Sequence, residues 1–393
     1  MMQRPSETTM SITCHICNSP SVELIQSYAL LRRITSDCKM SNKEGKIGFC
    51  RSCGCVQKLI NTVWQSEVNE IYKSYQIYHQ SNGMEQAVFN ILGESQPRSA
   101  SLIDKLFFHF DIPHVGRILD VGCGRGAFLK AFSERAIQWR LAGLDLDDKY
   151  KSIIERIDRI EKLYTGSSEL VPDTFNIVTM IHTLEHIPMP RNFLMLLKNK
   201  LTKNSLLLIQ IPNYIQNPFD LLITDHCTHF TKNTIKKLLI SSGYEIKLIT
   251  EDWVLRELTI IACISSKSEN TFVNDFVVNE TDGNYVVRCI DWLLEMKKMA
   301  NTLSRNDHFG IFGTSIAGTW LFSELERTSV KFFIDEDLSR VGQNYYGCNV
   351  YHPSGVADSS TVFMPFTKCI AESIKNRMGE QGFKFKIHCL GNI

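Results

Sequence analysis

The chain has 393 residues, which is long enough for two or three domains rather than one. Apolar residues make up 44% of it and charged residues 22%, as in ordinary globular proteins. The net charge is +1, from 43 Lys and Arg against 42 Asp and Glu, so the chain lacks the basic balance typical of nucleic-acid-binding proteins. The composition therefore favours a small-molecule partner and argues against a nucleic acid.

The N-terminal sequence, MMQRPSETTMSITCHIC, contains no apolar core of signal-peptide length. No apolar run approaches the roughly 18 residues of a membrane-spanning helix, so we expect no membrane span. Thirteen cysteines in a large chain without a secretory signal favour reduced thiols over a disulfide framework. Together these features predict a cytoplasmic protein.

Six of the thirteen cysteines lie within residues 1–60. Four of these form two Cys-x-x-Cys pairs, namely Cys14 with Cys17 and Cys50 with Cys53. Each pair brings two thiolates to one ion, and two pairs complete the tetrahedral site that structural zinc requires. Cys55 in place of Cys53 gives a less usual spacing, and unrelated buried thiols or a redox pair are the competing interpretations. The pattern predicts an N-terminal zinc-binding domain.

Short apolar runs alternate with amphipathic segments between residues 100 and 265. Five runs predict buried strands: RILDVG (117–122), LAGLDL (141–146), FNIVTMIH (175–182), SLLLIQIP (205–212) and LTIIACIS (258–265). Two segments between them predict helices, AFLKAFSERA (127–136) and PRNFLMLLKNKL (190–201). Strands that alternate with helices predict an α/β fold with a mostly parallel, doubly wound sheet.

A polar stretch at 266–283 predicts a linker, and the residues from 285 to 303 predict a long helix. Four strands of a second α/β series are predicted at FGIFGTS (309–315), VKFFIDED (330–337), TVFMPF (361–366) and FKIHCL (385–390). This series predicts a C-terminal Rossmann-like domain, whose glycines are spaced too loosely for a cofactor fingerprint. We therefore divide the chain into three domains, at 1–70, 71–268 and 284–393.

The strongest motif is ILDVGCGRGAFL (118–129), in which a buried strand ends at Asp120. Three glycines then turn the chain into a helix: Gly122, Gly124 and Gly126. They permit positive φ angles and close backbone approach, and the helix start offers free N–H groups. Their spacing differs from the Gly-x-Gly-x-x-Gly of dinucleotide-binding domains, and Asp120 is placed to meet an ammonium rather than a pyrophosphate. With Asp145 at the end of the next strand for two ribose hydroxyls, the motif favours an adenosine that carries an amino acid.

These motifs resemble those of the class I S-adenosylmethionine-dependent methyltransferases over about residues 115–265, and the HTLEHIP segment (182–188) matches the end of the family's fourth strand. The resemblance implies S-adenosylmethionine as the cofactor. The residues it places at the cofactor are Asp120, Gly122, Gly124, Gly126, Asp145, Leu146, Ser167 and His182. Asp145 would bind the ribose and Leu146 would pack beside the adenine. Ser167 lies in a turn where the family usually has an acid.

The order of the domains is similar to that of the three-domain sugar C-methyltransferases, which act on nucleotide-linked 4-keto-deoxysugars. This resemblance covers nearly the whole chain and includes the paired cysteines and the tyrosine-rich segment YKSYQIYHQ (72–80). It implies a catalytic base in the segment DLLITDHCTHFT (220–231), where Asp225 and His226 stand in place of the family's usual Glu-His.

In that family the histidine removes a proton from the carbon beside the ketone. The resemblance therefore implies His226 as the base and Asp225 as the residue that orients its imidazole. Tyr78 and His182 resemble residues that contact the sugar and would stabilise the enolate by hydrogen bonding. The carbanion would then take the methyl group of S-adenosylmethionine.

Several alternatives stay open at this point. Methylation of a sugar hydroxyl would use the same base and cofactor, and a zinc-ribbon binding protein with an inactive methyltransferase core is an interpretation from another class. Tyr72, Tyr75 and Tyr78 recur every three residues, which also predicts one face of a helix packed on the core. For His186 and His229, structural roles are an alternative to catalytic ones. The C-terminal domain either holds the nucleotide end of the substrate, as the resemblance implies, or only supports the core.

Overall fold

Three main sheets, of four, seven and six strands, organise the computed structural model. The model describes residues 12–41, 44–75, 85, 87–89, 95–266 and 281–393. No helix within these ranges is long and apolar enough to cross a membrane. The predicted α/β fold is confirmed, with a parallel-rich central sheet and a cluster of cysteines near the N-terminus.

Short strands around one helix build the N-terminal region. Its elements are β1 (Val22–Leu24), β2 (Arg33–Ile34), β3 (Met40–Ser41), β4 (Ile47–Cys50), β5 (Val56–Lys58), α1 (Thr62–Lys73), β6 (Ala87–Phe89) and β7 (Ser95–Pro97), with a 3₁₀ helix at Gln26–Leu30. Helix α1 begins where the Asn61 side chain accepts a hydrogen bond from the backbone N–H of Trp64 at 2.8 Å. The helix continues across the domain boundary placed between residues 70 and 71, so that division of the chain stays a prediction.

The central region carries the seven-stranded sheet. Its elements are α2 (Arg98–His109), β8 (Gly116–Val121), α3 (Ala127–Arg135), β9 (Trp139–Asp145), α4 (Lys151–Ile154), β10 (Ile160–Thr165), β11 (Phe175–Ile181), α5 (Pro190–Leu197), β12 (Leu201–Pro212), β13 (Thr228–His229), α6 (Lys232–Ser241), β14 (Tyr244–Thr250) and β15 (Glu257–Ile264). Short 3₁₀ helices lie at Ser168–Leu170, Leu184–His186, Lys198–Lys200 and Pro218–Leu222.

The strands of this sheet are ordered β10-β9-β8-β11-β12-β15-β14. The first five are parallel, and β15 is antiparallel to both of its neighbours. The strand order reverses between β8 and β11, and ligands of such sheets bind in the crevice beyond the carboxyl ends of the strands at this switch point. The residues that follow β8 and β11 are therefore the first place to look for a site.

The C-terminal region begins with a long helix and ends in a six-stranded sheet. Its elements are α7 (Thr281–Leu303), β16 (Phe309–Phe312), α8 (Ile316–Glu324), β17 (Phe332–Ile334), β18 (Asn344–Tyr345), β19 (Cys348–Tyr351), β20 (Thr361–Phe363), α9 (Lys368–Glu380) and β21 (Lys386–His388), with 3₁₀ helices at Arg327–Ser329 and Pro353–Gly355. The order is β18-β19-β17-β16-β20-β21, and all pairs except β18 with β19 are parallel.

One strand of the N-terminal sheet comes from the central region. The sheet is ordered β1-β4-β5-β13, and β13 pairs antiparallel with β5 through Thr228 opposite Gln57 and His229 opposite Val56. The backbone N–H of Lys58 also donates to the carbonyl of Cys227 at 2.9 Å. The segment that ends in His229 is thus held by the cysteine-rich region.

Apolar packing also crosses the domain boundaries. One core cluster joins Cys14, Cys50, Cys53 and Cys55 to side chains of the central sheet. A second cluster joins α7 and the C-terminal sheet to Tyr28 and Phe219. Because burial of apolar surface is the main favourable term in folding, these shared clusters tie the three regions together.

The central and C-terminal sheets contain four strands that the sequence did not predict, β10, β14, β18 and β19, and the short strands of the N-terminal sheet were not predicted either. β10 and β14 lie at the two edges of the central sheet, and β18 lies at an edge of the C-terminal one. Edge strands keep charged and polar residues, as in IEKLYT (160–165), so they lack a continuous apolar run. Helix α7 begins at Thr281 rather than at 285, and most of the predicted linker lies outside the described residues.

Candidate functional site

The glycine turn after β8 has the conformation that its sequence predicts. Gly122, Gly124 and Gly126 have φ angles of +73°, +52° and +77°, and α3 starts at the next residue. A Cβ at Gly122 would clash with the side chain of Thr183, which lies beyond β11 and donates to the carbonyl of Val121 at 3.0 Å. The turn is therefore glycine-specific. Its shape is fixed by backbone hydrogen bonds, since the N–H of Gly122 donates to the carbonyl of Leu144 at 2.7 Å and that of Gly126 to the carbonyl of Cys123 at 2.8 Å.

Asp145, at the end of β9, is hydrogen-bonded to this turn. Its Oδ2 accepts from the backbone N–H of Gly124 and its Oδ1 from that of Leu146, both at 2.7 Å. The side chain of Leu146 is 68% exposed, so it presents a large apolar surface to solvent. Ser167 lies in the turn beyond the neighbouring strand β10, where the N–H of Gly166 donates to the carbonyl of Asp145 at 2.8 Å. The predicted ribose and adenine residues thus share one edge of the sheet.

Asp120 is a buried carboxylate at the end of β8. It is 3% exposed, and its Oδ1 accepts a hydrogen bond from the Thr179 hydroxyl at 2.6 Å. Burial raises the pKa of Asp120 to about 7, because the charged form loses its hydration there. A cationic ligand beside Asp120 would restore the ionised form.

His182 follows β11 directly and has the left-handed φ of +49°, which is unusual for a residue other than glycine. Its Nδ1 lies 3.2 Å from Oε1 of Glu185 and its Nε2 lies 3.1 Å from Oε2 of Glu257. Burial opposes protonation, but the charges of Glu257 and Glu185 outweigh it and raise the pKa of His182 to about 9. His182 is therefore placed as a cation at the switch point.

His226 takes its carboxylate partner from a position that the sequence did not indicate. Its Nδ1 lies 2.6 Å from Oδ1 of Asp220, whose Oδ2 lies 2.6 Å from Nδ1 of His229. Asp225 instead accepts hydrogen bonds from the backbone N–H and the hydroxyl of Ser36, at 2.9 and 2.5 Å. The expectation that Asp225 orients His226 is therefore corrected. Asp225 lies in a turn and its carboxylate bonds to Ser36, whereas Asp220 of the preceding 3₁₀ helix contacts His226.

Charge and burial together set the pKa values of Asp220, His226 and His229. Asp220 is 1% exposed, and the two imidazoles hold the pKa of its carboxyl well below the usual range although burial acts in the opposite direction. Burial lowers the pKa of His229 to about 4, whereas the charge of Asp220 outweighs burial and raises the pKa of His226. A neutral His229 and an ionised Asp220 make Asp220 an acceptor for two N–H donors.

Four of the predicted cofactor and catalytic residues, Asp120, Gly122, His182 and His226, line one cavity of about 320 Å³. All three regions of the chain contribute to its wall. The lining includes Ser36 and Tyr75 from the N-terminal region, Asp120, Gly122, His182, His186 and His226 from the central region, and Ser315, Ile316, Ala317 and Phe366 from the C-terminal region. A ligand at the glycine turn and a second ligand beside the histidines would therefore share one enclosed space.

The four cysteines of the two Cys-x-x-Cys pairs also come together. Their sulfur atoms all lie within 4.8 Å of one another, with 3.4 Å between Cys14 and Cys53 and 3.6 Å between Cys17 and Cys50. Tetrahedral zinc with bonds of about 2.3 Å to sulfur needs a similar separation of about 3.8 Å, so the set fits a zinc ion. Cys55 is not part of this group. Gly54, in the turn after Cys53, has a φ of +81°.

The sequence did not indicate several residues of the site, and one predicted residue stays untested. Tyr78 lies outside the described residues, but Tyr72 of the same segment reaches His186, with its hydroxyl 3.2 Å from Nδ1. The missed carboxylates are Asp220, Glu185 and Glu257. Glu185 lies in the HTLEHIP segment, three residues after His182, so the sequence did offer a signal that the two could meet. Glu257 and Asp220 reach the histidines only through the tertiary fold.

Residues 94–248 match the family model described as "Methyltransferase domain". With the strand order, the glycine turn and the acid at the end of β9, this match defines the central region. The chain contains a class I S-adenosylmethionine-dependent methyltransferase domain.

Two curated proteins share low sequence identity with this region. The mitochondrial ubiquinone biosynthesis O-methyltransferase of Schizosaccharomyces pombe is 24% identical over 155 residues, which cover 36% of this chain and 56% of that protein. The ubiquinone biosynthesis O-methyltransferase of Photobacterium profundum is 27% identical over 115 residues, or 26% of this chain and 47% of that protein. This chain thus spans about half the length of the curated relatives it matches.

A solved S-adenosylmethionine-dependent methyltransferase from Clostridium acetobutylicum aligns with a TM-score of 0.37 at 11% identity, over 52% of this chain and 98% of that chain.

Proposed function

We propose that the chain transfers a methyl group from S-adenosylmethionine to a carbon atom of a nucleotide-linked ketodeoxysugar, through an enolate that His226 generates. The shared cavity carries this proposal, because Asp120 and Gly122 of the cofactor motif line the same space as His226. Methyl transfer requires donor and acceptor to lie in contact and in line, which one enclosed volume permits.

The residues around the glycine turn fit S-adenosylmethionine. Gly122 lines the cavity beside Asp120, whose buried carboxylate would pair with the ammonium group of the ligand. Each oxygen of Asp145 accepts one backbone hydrogen bond and keeps a lone pair for a ribose hydroxyl. The exposed Leu146 side chain would pack against the adenine, with Ser167 near its edge. When bound, this cofactor supplies an electrophilic methyl group.

Proton removal from the substrate is assigned to His226. Because Asp220 accepts from Nδ1–H, the lone pair of the neutral imidazole lies on Nε2. Nε2 takes the proton from the carbon beside the ketone, and that carbon accepts the methyl group. The cationic His182 lines the same cavity and stabilises the enolate oxygen, a role in which Tyr78 stays a prediction.

We further propose that Cys14, Cys17, Cys50 and Cys53 hold a structural zinc ion. Their sulfurs fill all four positions of a tetrahedral ion, so no coordination position is left for a substrate. Reduced thiols of this kind suit a cytoplasmic location, which stays a prediction from the sequence. The start of α8 in the C-terminal region, where Ser315, Ile316 and Ala317 line the cavity, would meet the nucleotide end of the substrate.

A second candidate is methyl transfer to a hydroxyl oxygen. The names of the two curated relatives favour it, since both are O-methyltransferases. The same base and cofactor residues would serve, with His226 removing a hydroxyl proton instead of a carbon-bound one.

The test is to incubate the full chain with S-adenosylmethionine and a panel of nucleotide-linked sugars, with and without a 4-keto group, and to analyse products by mass spectrometry and NMR. A new carbon-bound methyl group on a ketosugar is expected, and a methyl ether would support the second candidate. His226→Asn should bind S-adenosylmethionine normally and lose methyl transfer by ~10²–10⁴.

The two neighbouring aspartates provide a matched comparison. Asp220→Asn should reduce turnover much more than Asp225→Asn, because only Asp220 contacts the His226 imidazole. No methyl transfer to any sugar in the panel, or a fully active His226→Asn protein, would contradict the proposal.

A further inference from the structure

A second group of metal-type ligands lies apart from the cysteines and beside the cavity. Glu185, His186 and His226 each bring one ligand atom to within 4.8 Å of the others. Glu185 and His186 belong to the 3₁₀ helix after β11, and His226 precedes β13. The backbone N–H of Cys227 donates to the carbonyl of Glu185 at 2.8 Å, so the two segments are held together by the fold itself.

Both imidazoles use Nδ1 for contacts with neighbouring protein groups. Nδ1 of His226 is bonded to Asp220, and Nδ1 of His186 lies 3.0 Å from the carbonyl of Asp225 and 3.5 Å from its Oδ2. Nε2 of each ring is therefore the atom left with a lone pair. A histidine that donates one ring N–H to a carboxylate or a carbonyl and offers the other nitrogen is the usual arrangement around a protein-bound metal ion.

Glu185 is the third member and its carboxylate is incompletely satisfied. It is 1% exposed, and neither oxygen accepts a hydrogen bond from any described residue. Its one close cation is His182, at 3.2 Å, in an orientation that gives no hydrogen bond. A buried carboxylate in this state is rare, and a bound ion is one of the few explanations for it.

We infer that Glu185, His186 and His226 form a binding site for a divalent transition-metal ion such as Zn²⁺ or Co²⁺. Two imidazoles and one carboxylate are a donor set that these ions prefer. Bonds of about 2.0–2.1 Å would draw the three atoms closer together than their present spread. Because His186 and His226 line the cavity, the open position of the ion faces the acceptor side of the proposed active site.

The consequence for activity rests on the proposed function. Nε2 of His226 cannot hold a metal ion and accept a proton at the same time, so the bound ion inhibits methyl transfer. The inhibition is competitive with the acceptor substrate, which approaches the same lone pair. Binding of S-adenosylmethionine is unaffected, since its residues lie at the glycine turn.

The experiment is a Co²⁺ titration of the full chain as purified, with its zinc content recorded first. Binding at this site produces visible d–d bands without the near-ultraviolet thiolate-to-cobalt band that a cysteine site would give. One equivalent is expected for the wild type. Glu185→Gln and His186→Gln should lose the d–d bands, and His182→Gln, which removes the neighbouring imidazole, should keep them.

Binding and inhibition are measured separately, so the metal site and the proposed function fail independently. A wild-type spectrum without d–d bands at millimolar Co²⁺ overturns the site, whatever the activity. Bands together with metal-stimulated methyl transfer overturn the inhibitory role. If the variants do not fold, as judged by S-adenosylmethionine binding, the wild-type titration decides alone: one equivalent of Co²⁺ with d–d bands and no thiolate band supports the inference, and any other result counts against it.

Discussion

Asp120 connects burial at a single residue to the pH dependence of the whole site. Its raised pKa means that the folded chain holds a proton which the unfolded chain, with a pKa near ~3.9, releases. The stability contributed by this group is therefore fully present below about pH 4 and is lost as the pH rises toward about 7. A cofactor whose ammonium group pairs with the Asp120 carboxylate binds the ionised form. Its binding therefore lowers the pKa of Asp120 and offsets the stability that is lost when the carboxyl ionises.

We accordingly predict that S-adenosylmethionine binds more tightly as the pH rises from 5.5 to 7, by up to about tenfold per unit. Calorimetry in buffers of different ionisation enthalpy should also detect a proton released on binding. Asp120→Asn should bind weakly and without this pH dependence, whereas Asp147→Asn, at an exposed residue of the same edge, should behave as the wild type. A flat wild-type profile would rule out Asp120 as the partner of the ammonium.

At the scale of elements, the turn between β8 and α3 decides whether the cofactor has a place to bind. A comparison of Gly122 with Gly347 distinguishes backbone strain from a steric clash. Both glycines have positive φ, but an added Cβ would clash with a side chain, that of Thr183, only at Gly122. Gly347 lies in the β18–β19 turn with nothing within 4 Å of that position.

We predict that Gly122→Ala and Gly347→Ala each lose about 1–2 kcal/mol of unfolding free energy, because a residue with a Cβ is strained at positive φ. Gly122→Ala should lose more than Gly347→Ala, and it alone should weaken S-adenosylmethionine binding by at least tenfold. Chemical denaturation and calorimetry measure the two effects. Equal cofactor affinity in both variants would show that the turn does not hold the cofactor.

For the whole molecule, the important connection is β13, the strand that the central region adds to the cysteine-rich sheet. The strand begins two residues after His226. His15, between Cys14 and Cys17, places its Nδ1 2.9 Å from the hydroxyl of Thr228 in this strand. The N-terminal region therefore supports the segment of the proposed base, while the glycine turn is built from β8, β9 and β11 alone.

We predict that each chain binds one zinc ion. Removal of the zinc should reduce methyl transfer, which depends on His226, more than it reduces the affinity for S-adenosylmethionine. Chelation, or Cys53→Ser, should lower the melting temperature by several degrees and reduce methyl transfer strongly, because the metal contributes folding free energy to this region. The Kd for S-adenosylmethionine should change by less than about threefold. Cys55→Ser, which alters a buried cysteine outside the cluster, should retain the zinc. Wild-type protein that folds without zinc would refute the assignment.

Local sequence was sufficient for the features whose physics is local. The buried strands β8, β9, β11, β12 and β15 were predicted because strands that are covered on both faces need continuous apolar runs. The glycine turn and the two cysteine pairs were predicted because positive φ and tetrahedral coordination each demand particular residues at close spacing.

Only the tertiary structure decided which groups meet across distant segments. Asp220 rather than Asp225 contacts His226 because a 3₁₀ helix turns the chain back, and Glu257 reaches His182 because β15 runs antiparallel beside β12. The edge strands β10 and β14 escaped prediction because their polar faces carry no apolar run. Residue types and short spacings determine what a segment can form, whereas the carboxylate that pairs with each buried histidine depends on how strands far apart in the chain are packed.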